Sequence, residues 1–288
     1  MDGIINVYKP LGITSFDVVR KIKKICKTKK VGHTGTLDPL ASGVLPICLG
    51  SSTKAVDYIM NDYKIYIAEV KLGIVTDTYD REGKILKEKP VNLKEEEVRE
   101  VIKSFIGKIN QVPPMYSALK VNGKKLYELA RAGIEIERVA RPIEIFDIKI
   151  IEMQLPIIKI VIKCSKGTYI RSLCYDIGEK LQCGAMMWNL ERTATGSFSK
   201  ENSVKLEDLT EENVGNYIIT AEKVFEKYPS IKVCERIKKL LINGVDMKDP
   251  EVFSKTQEGI IYKVYDEEAF LGIAMKTSKG FKLIKSFN

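Results

Sequence analysis

The chain has 288 residues, 44% of them hydrophobic and 30% charged, enough to bury an ordinary core without disulfides or metals. Lys and Arg outnumber Asp and Glu by 47 to 38, a formal net charge of +9, which favours a polyanionic partner through phosphate contacts and counter-ion release without identifying one. The six cysteines (Cys26, Cys48, Cys164, Cys174, Cys183, Cys234) form no CxxC pair and His33 is the single histidine, which excludes a Cys/His zinc centre and leaves reduced, mostly buried thiols.

The N-terminus, Met1-Asp2-Gly3-Ile4-Ile5-Asn6-Val7, has neither the basic region nor the long apolar run of a signal peptide. No stretch approaches the roughly 18 apolar residues that span a bilayer, so a cytoplasmic protein is expected. Ile4 to Tyr8 reads as a strand ending at Lys9-Pro10. Thr14, Ser15 and Asp17 offer caps for a helix whose apolar face is Val18, Val19, Ile22, Ile25 and Cys26. Its other face carries Lys21, Lys23, Lys24 and Lys27, with Lys29 and Lys30 beyond. That face reads equally as solvated surface or as a phosphate track leading into the next loop.

Residues 32–43 are rich in Gly, Thr and Pro, and Val44 to Leu49 follows as an apolar strand. Lys64 to Leu72 alternates as a strand does. Thr76 to Gly83 reads as a polar surface hairpin, because calcium-loop spacing is absent. Leu93 to Ile106 is an amphipathic helix built on Val98, Val101, Ile102 and Phe105. The stretch 110–142, with three prolines and two glycines, reads as an elaborated insertion with a short helix near Leu126 to Ala132. Ile143 to Met153 and Ile157 to Cys164 form an antiparallel pair, Thr168 to Leu181 a helix, and Met186 to Ser197 a further strand. A boundary near Tyr228-Pro229 precedes a helix over Arg236 to Ile242 and short strands at Gly259 to Tyr265, Phe270 to Lys276 and Phe281 to Phe287, a pattern suited to a small β-barrel.

Neither a Walker-type phosphate loop nor a G-x-G-x-x-G fingerprint occurs. What remains is acid, hydroxyl and arginine chemistry without a cofactor. Asp38 lies in a loop flanked by Gly32, Gly35 and Gly43, which let the backbone approach a ligand closely. A carboxylate held there can act as nucleophile or base; by spacing alone, an aspartate in an ordinary turn before Pro39 is the commoner case.

The run Gly-His-Thr-Gly-Thr-Leu-Asp-Pro-Leu-Ala-Ser-Gly-Val-Leu-Pro at 32–46 resembles the catalytic segment of the bacterial TruB family, which makes pseudouridine in the T-loop of tRNA. Lys9-Pro10-Leu11-Gly12-Ile13-Thr14-Ser15, Val112-Pro113-Pro114-Met115-Tyr116-Ser117-Ala118-Leu119-Lys120 and Ser165-Lys166-Gly167-Thr168-Tyr169-Ile170-Arg171 are similar to that family's other motifs, in the same order over residues 3–198. The last 60 or so residues resemble its PUA-like domain only in length and strand pattern.

The resemblance implies an α+β fold: a mixed, largely antiparallel sheet flanked by helices over residues 1–228, with an insertion at about 108–142, and a small PUA-like β-barrel at 229–288. It implies Asp38 as the nucleophile, Arg171 as its partner, and Tyr66 as the ring that stacks on the target uracil and removes a proton late. His33, Tyr169, Leu190 and Lys9 fall to substrate binding. His33 takes the space left by the flipped nucleotide, and Leu190 closes the pocket. No cofactor, metal or obligatory protein partner is implied, and the substrate is the T-arm of tRNA, acted on at uridine 55 by a monomer. Attack at C1′ of the ribose and at C6 of the uracil both satisfy the chemistry. Two alternatives stand beside this reading: a guide-RNA-dependent relative of the box H/ACA type, and a noncatalytic RNA-binding or RNA-folding module.

Overall fold

The computed structural model describes residues 1–121, 123–267 and 269–287. Strand β1 (Gly3–Lys9) leads into α1 (Ser15–Ile25), which starts in a reciprocal cap: Asp17 N donates to Thr14 Oγ1 and Thr14 N donates to the Asp17 carboxylate. A hairpin of β2 (Val31–His33) and β3 (Ala41–Leu49) follows, then α2 (Val56–Asn61) and β4 (Lys64–Leu72). A second hairpin, β5 (Ile74–Thr76) and β6 (Ile85–Glu88), precedes α3 (Glu95–Lys103) and β7 (Gly107–Gln111). The expected insertion holds the short strands β8 (Lys120–Val121) and β9 (Lys124–Lys125) and the single turn-and-a-half of α4 (Leu126–Arg131). Next come β10 (Arg141–Gln154), β11 (Ile157–Cys164), α5 (Ile170–Lys180), β12 (Ala185–Thr195), β13 (Phe198–Ser199) and β14 (Val204–Lys205).

Ten of these strands form one sheet in the order β14-β1-β3-β12-β4-β11-β10-β7, with β2 added to β3 and β13 to β12, while β5–β6 and β8–β9 pair separately. The β1–β14 and β3–β12 pairs are parallel and the others antiparallel, so the sheet is mixed and largely antiparallel. Sequence pattern follows position. In β1 and β3 both faces are covered: Ile5, Val7, Leu45 and Ile47 enter the main core, while Ile4, Val44 and Cys48 enter a second cluster with Ile59 and Phe198. Strands buried on two sides read as unbroken apolar runs. In β4 only alternate residues are buried, Tyr66, Ala68, Val70 and Leu72, which gives the alternation seen in the sequence. Helices α1, α3 and α5 supply Val18, Ile22, Val98, Ile102, Leu173 and Ile177 to the same core.

β3 begins at Ala41 rather than at Val44, because Ala41, Ser42 and Gly43 pair in parallel with Leu190, Glu191 and Arg192. Gly43 has φ 115, and a Cβ there would lie 2.2 Å from the Arg192 carbonyl oxygen. Only glycine allows the strands to meet at that point.

Beyond Tyr228, β15 (Ser230–Val233), α6 (Glu235–Ile242), α7 (Pro250–Ser254), β16 (Ile261–Asp266), β17 (Ala269–Thr277) and β18 (Gly280–Ser286) form a second unit around a sheet ordered β15-β16-β17-β18. Strand β15 and helix α7 were not anticipated; both are too short for periodicity to reveal. Isolated bridges from Met247 to Phe281 and from Glu258 to Lys276 bring the α7 region against β18 and β17. The two units meet at Phe225, which is fully buried, edge-on to Tyr58 at 5.1 Å and near Phe287 at 5.5 Å. Lys54 Nζ and Ser51 Oγ donate to the Ser286 and Phe287 carbonyls at 2.6 and 3.0 Å. Among the described residues, no helix is long and apolar enough to cross a membrane.

Phe225→Ala is expected to cost about 3–5 kcal/mol, the usual range for emptying a buried phenylalanine site. Urea unfolding followed by Trp188 fluorescence and by far-UV circular dichroism would measure it. A loss below about 1 kcal/mol would show that the aromatic junction does not hold the two units together.

Candidate active site

The 34–40 loop joins β2 to β3 and is tied down on every side but one. Thr34, wholly buried, donates through N and Oγ1 to the Pro46 carbonyl, each at 3.2 Å. Leu37 N donates to Ser15 Oγ at 2.8 Å, and Ser15 Oγ donates back to the Leu37 carbonyl at 3.0 Å. Gly12 N donates to the Pro39 carbonyl at 2.8 Å. Leu37 and Leu40 are buried. Thr36 and Pro39 are exposed and Asp38 is partly so, its side chain 37% exposed, so solvent or a ligand can reach the carboxylate.

Its partner arrives from α5. Arg171 lies in the first turn of that helix, where a cation opposes the helix dipole. Four acceptors offset the placement. Arg171 NH2 is 3.0 Å from Asp38 Oδ2 and donates to the Tyr116 carbonyl at 2.8 Å. Arg171 NH1 is 3.5 Å from Asp80 Oδ2 and donates to the Thr78 carbonyl at 3.3 Å. The helix start is itself gripped by Gln111, which accepts from Tyr169 N at 2.8 Å and donates to the Tyr169 carbonyl at 3.1 Å.

Asp80 corrects the sequence reading. Residues 76–83 do not form a plain surface hairpin: Thr76 and Asp80 are buried, and Asp80 makes an isolated bridge to Met187 in β12. The Asp80 carboxylate accepts from Thr78 Oγ1 at 2.5 Å and from Glu82 N at 3.1 Å. Polar composition suggested exposure, but the polarity serves a buried ion pair, the commonest reason a charged residue is tolerated inside a protein.

Tyr66 lies in β4, opposite Ile162 of β11 and Arg192 of β12, and is 8% exposed. Burial pushes its phenol above the ordinary tyrosine value, against the opposing charge of Arg192. Leu190, also 8% exposed, pairs with Ala41 on one side and Ala68 on the other, and shares a core cluster with Tyr66 and Leu37. His33 closes the loop at its entry, where its Nδ1 accepts from Gly35 N at 3.3 Å. Burial and the nearby Arg192 charge lower the His33 imidazole, so it is neutral at pH 7 with its proton on Nε2. Tyr169, half-buried, precedes α5 two residues before Arg171.

Lys9 and Arg192 lie beneath the loop. Lys9 has no exposed surface; its Nζ donates to the Pro10 and Ile13 carbonyls, each at 2.8 Å, and burial lowers it to about 8. It braces the 10–13 turn from inside instead of presenting a free ammonium to a ligand. Arg192, 1% exposed, donates through Nε to the Val44 carbonyl at 2.7 Å and through NH2 to the Gly35 carbonyl at 3.1 Å. One guanidinium therefore ties the start of the loop that carries Asp38 to the strand that follows it. Sequence reasoning passed over Arg192 and Asp80. The available signal was an arginine two residues after Leu190, in a strand that opens on the apolar run Ala185 to Trp188.

Asp38 and Arg171 are thus in contact, with Tyr66 and Leu190 in the adjoining core and His33 at the loop's edge. A cavity of about 320 Å³ beside Val75, Lys89 and Cys183 and another of about 170 Å³ beside Asn6 and Asn216 lie elsewhere.

The family model for the N-terminal domain of TruB family pseudouridylate synthases matches residues 23–170, and that for the C-terminal domain of tRNA pseudouridylate synthase B matches residues 171–226. The second match ends before β15. Proteins named tRNA pseudouridine synthase B from Clostridium tetani and Clostridium acetobutylicum are each 58% identical to this chain over 286 residues, 99% of either chain. Among solved structures, a chain of a Cbf5-Nop10-Gar1 complex superposes with a TM-score of 0.75 at 27% identity, covering 99% of this chain and 85% of its own. One from an H/ACA RNP bound to a substrate RNA containing 2′-deoxyuridine gives 0.73 at 25%, with the same coverage.

Arg171→Ala is expected to lower stability by about 3–5 kcal/mol, because it leaves Asp80 buried without a counter-ion. Pairing it with Asp80→Asn should recover part of that loss. Strictly additive losses in urea denaturation of the two single variants and the double variant would show that the buried pair is not coupled.

Proposed function

The chain belongs to the TruB family of pseudouridylate synthases, and we propose that it converts uridine 55 in the T-loop of tRNA to pseudouridine, with Asp38 as the attacking group. The observation that carries this reading is a solvent-reachable carboxylate held 3.0 Å from a buried guanidinium. The reaction is an isomerisation. The bond between N1 and C1′ breaks, the uracil turns, C5 bonds to C1′, the C5 proton leaves and N1 gains one. Nothing is oxidised or reduced.

Each residue then has a defined task. The target base is stacked inside a folded loop, and its extrusion costs a few kcal/mol. A ring in contact with the base returns roughly 1–3 kcal/mol, which is the role we assign to Tyr66. Burial keeps the Tyr66 phenol protonated, so stacking is its first role and removal of the C5 proton comes late. Arg171 aims the Asp38 carboxylate through a charge-assisted contact. Leu190 covers the base, His33 fills the place it vacates, and Tyr169 lines the pocket. Lys9 acts through the turn it braces. We assign catalysis to residues 1–228, with the 108–142 segment gripping the RNA, and further RNA contact to residues 229–288. Five of the six cysteines are buried and all six are free, in keeping with work in a reducing cytoplasm.

A guide-dependent mode of action is favoured only by the distant likeness to the Cbf5 chain, whereas the relatives sharing 58% of residues are named for tRNA. Purified protein, acting alone as a monomer on a bare tRNA transcript with no guide RNA and no cofactor, should therefore form pseudouridine at position 55. Asp38→Asn should bind the transcript and form none. Position-resolved mapping of the modified base decides both points. A wild-type protein that binds the transcript without turnover would leave a noncatalytic RNA-binding module, and turnover that needs an added guide would leave the alternative enzyme.

A further inference from the structure

Segment 11–16 is bonded to the peptides on either side of Asp38, through Gly12 to Pro39 and through Ser15 to Leu37. Two large apolar side chains of this short segment point outward: Leu11 is 53% exposed and Phe16 63%. A single exposed phenylalanine means little on its own. Here its neighbours give it a context. Phe16 opens the outer face of α1, and one turn on the Arg20 guanidinium lies 5.6 Å from its ring centroid, held in place by the Asp17 carboxylate. Lys23 and Lys24 continue the same face for another turn, both exposed, and Lys27 beyond them is paired with Glu211. The inner face of the helix is taken up by Val18, Val19 and Ile22 in the core. The result is an aromatic ring at the head of a basic track, anchored to the catalytic loop. Single-stranded nucleic acid is held by that combination, with cations along the backbone and a ring under a base.

We propose that Phe16 is a stacking subsite for an unpaired base that neighbours the flipped uridine, and that Arg20, Lys23 and Lys24 hold the phosphates leading away from it. The proposal rests on the pseudouridine-forming reading and extends it from the reacting base to the next nucleotides. The apolar Phe16 ring supplies area independent of sequence, and Arg20 at its edge adds a cation for the base or its phosphate. The tether through Ser15 makes the subsite and Asp38 one rigid body, so a base seated on Phe16 sets the reach of its neighbour into the site.

The test uses the full chain and a T-arm hairpin RNA carrying 2-aminopurine next to the target uridine. Phe16→Ala is expected to weaken binding about tenfold, to remove the quenching of 2-aminopurine, and to leave the melting temperature and the salt dependence of binding as in the wild type. In turnover the loss falls on KM. Phe16→Trp should restore affinity and quenching. Arg20→Ala should weaken binding and reduce the slope of log Kd against log salt by about one phosphate contact. Wild-type affinity and quenching in Phe16→Ala would overturn the proposal and point to another occupant, such as an apolar protein surface. A lowered melting temperature that accounts for the lost affinity would also overturn it. If the wild-type protein formed no pseudouridine, the proposed reaction would fall, and the 2-aminopurine signal would still report the stacking contact separately.

Discussion

A guanidinium between two carboxylates organises this molecule. For Arg171 to meet both Asp38 and Asp80, the start of α5, the loop after β2, the turn after β5 and the insertion that carries the Tyr116 carbonyl must all converge on one point. Two of the three charged groups are buried, and a buried charge missing its partner is among the most costly defects a fold can carry. The pair therefore selects one arrangement of four distant segments. It also divides labour between the two acids. Asp80, enclosed and supplied with donors by Thr78 and Glu82, holds the arginine. Asp38, more open, is free to meet something from outside.

The loop around Asp38 is rigid for a related reason. It has little regular secondary structure of its own, so its backbone groups need partners from elsewhere. Ser15, Gly12, Arg192 and Pro46 provide them from a helix, a turn and two different strands. Lys9 does the same for the preceding turn. A group that meets a ligand does so best when its position is fixed beforehand, and here interior cations on carbonyl oxygens fix the loop around Asp38.

Much of this was legible in the sequence. Alternation in Lys64 to Leu72 placed Tyr66 on a strand. The periodicities of residues 15–26 and 168–181 placed α1 and α5. The glycines at 35 and 43 marked Asp38 as a residue in an unusual loop, although only the family resemblance lifted it above an ordinary turn aspartate. The unread parts share a physical cause. Asp80 and Lys9 are charged residues, and composition assigns charge to the surface; burial becomes visible only when their partners, distant in sequence, are in place. Arg192 gave no periodic signal because its contacts are with backbone atoms, which every residue possesses. Strand β15 and helix α7 are shorter than the window over which a repeat can be recognised.

The clasp that Arg192 makes on the Gly35 and Val44 carbonyls has one more implication. An arginine side chain keeps its proton throughout the range in which proteins are folded, and an amide oxygen takes none up. The fastening is therefore indifferent to acidity, across an interval where imidazoles and carboxyls change their state. That one clasp stays constant while the medium varies, whereas the contact that His33 Nδ1 accepts from Gly35 N is lost once the imidazole takes up a second proton.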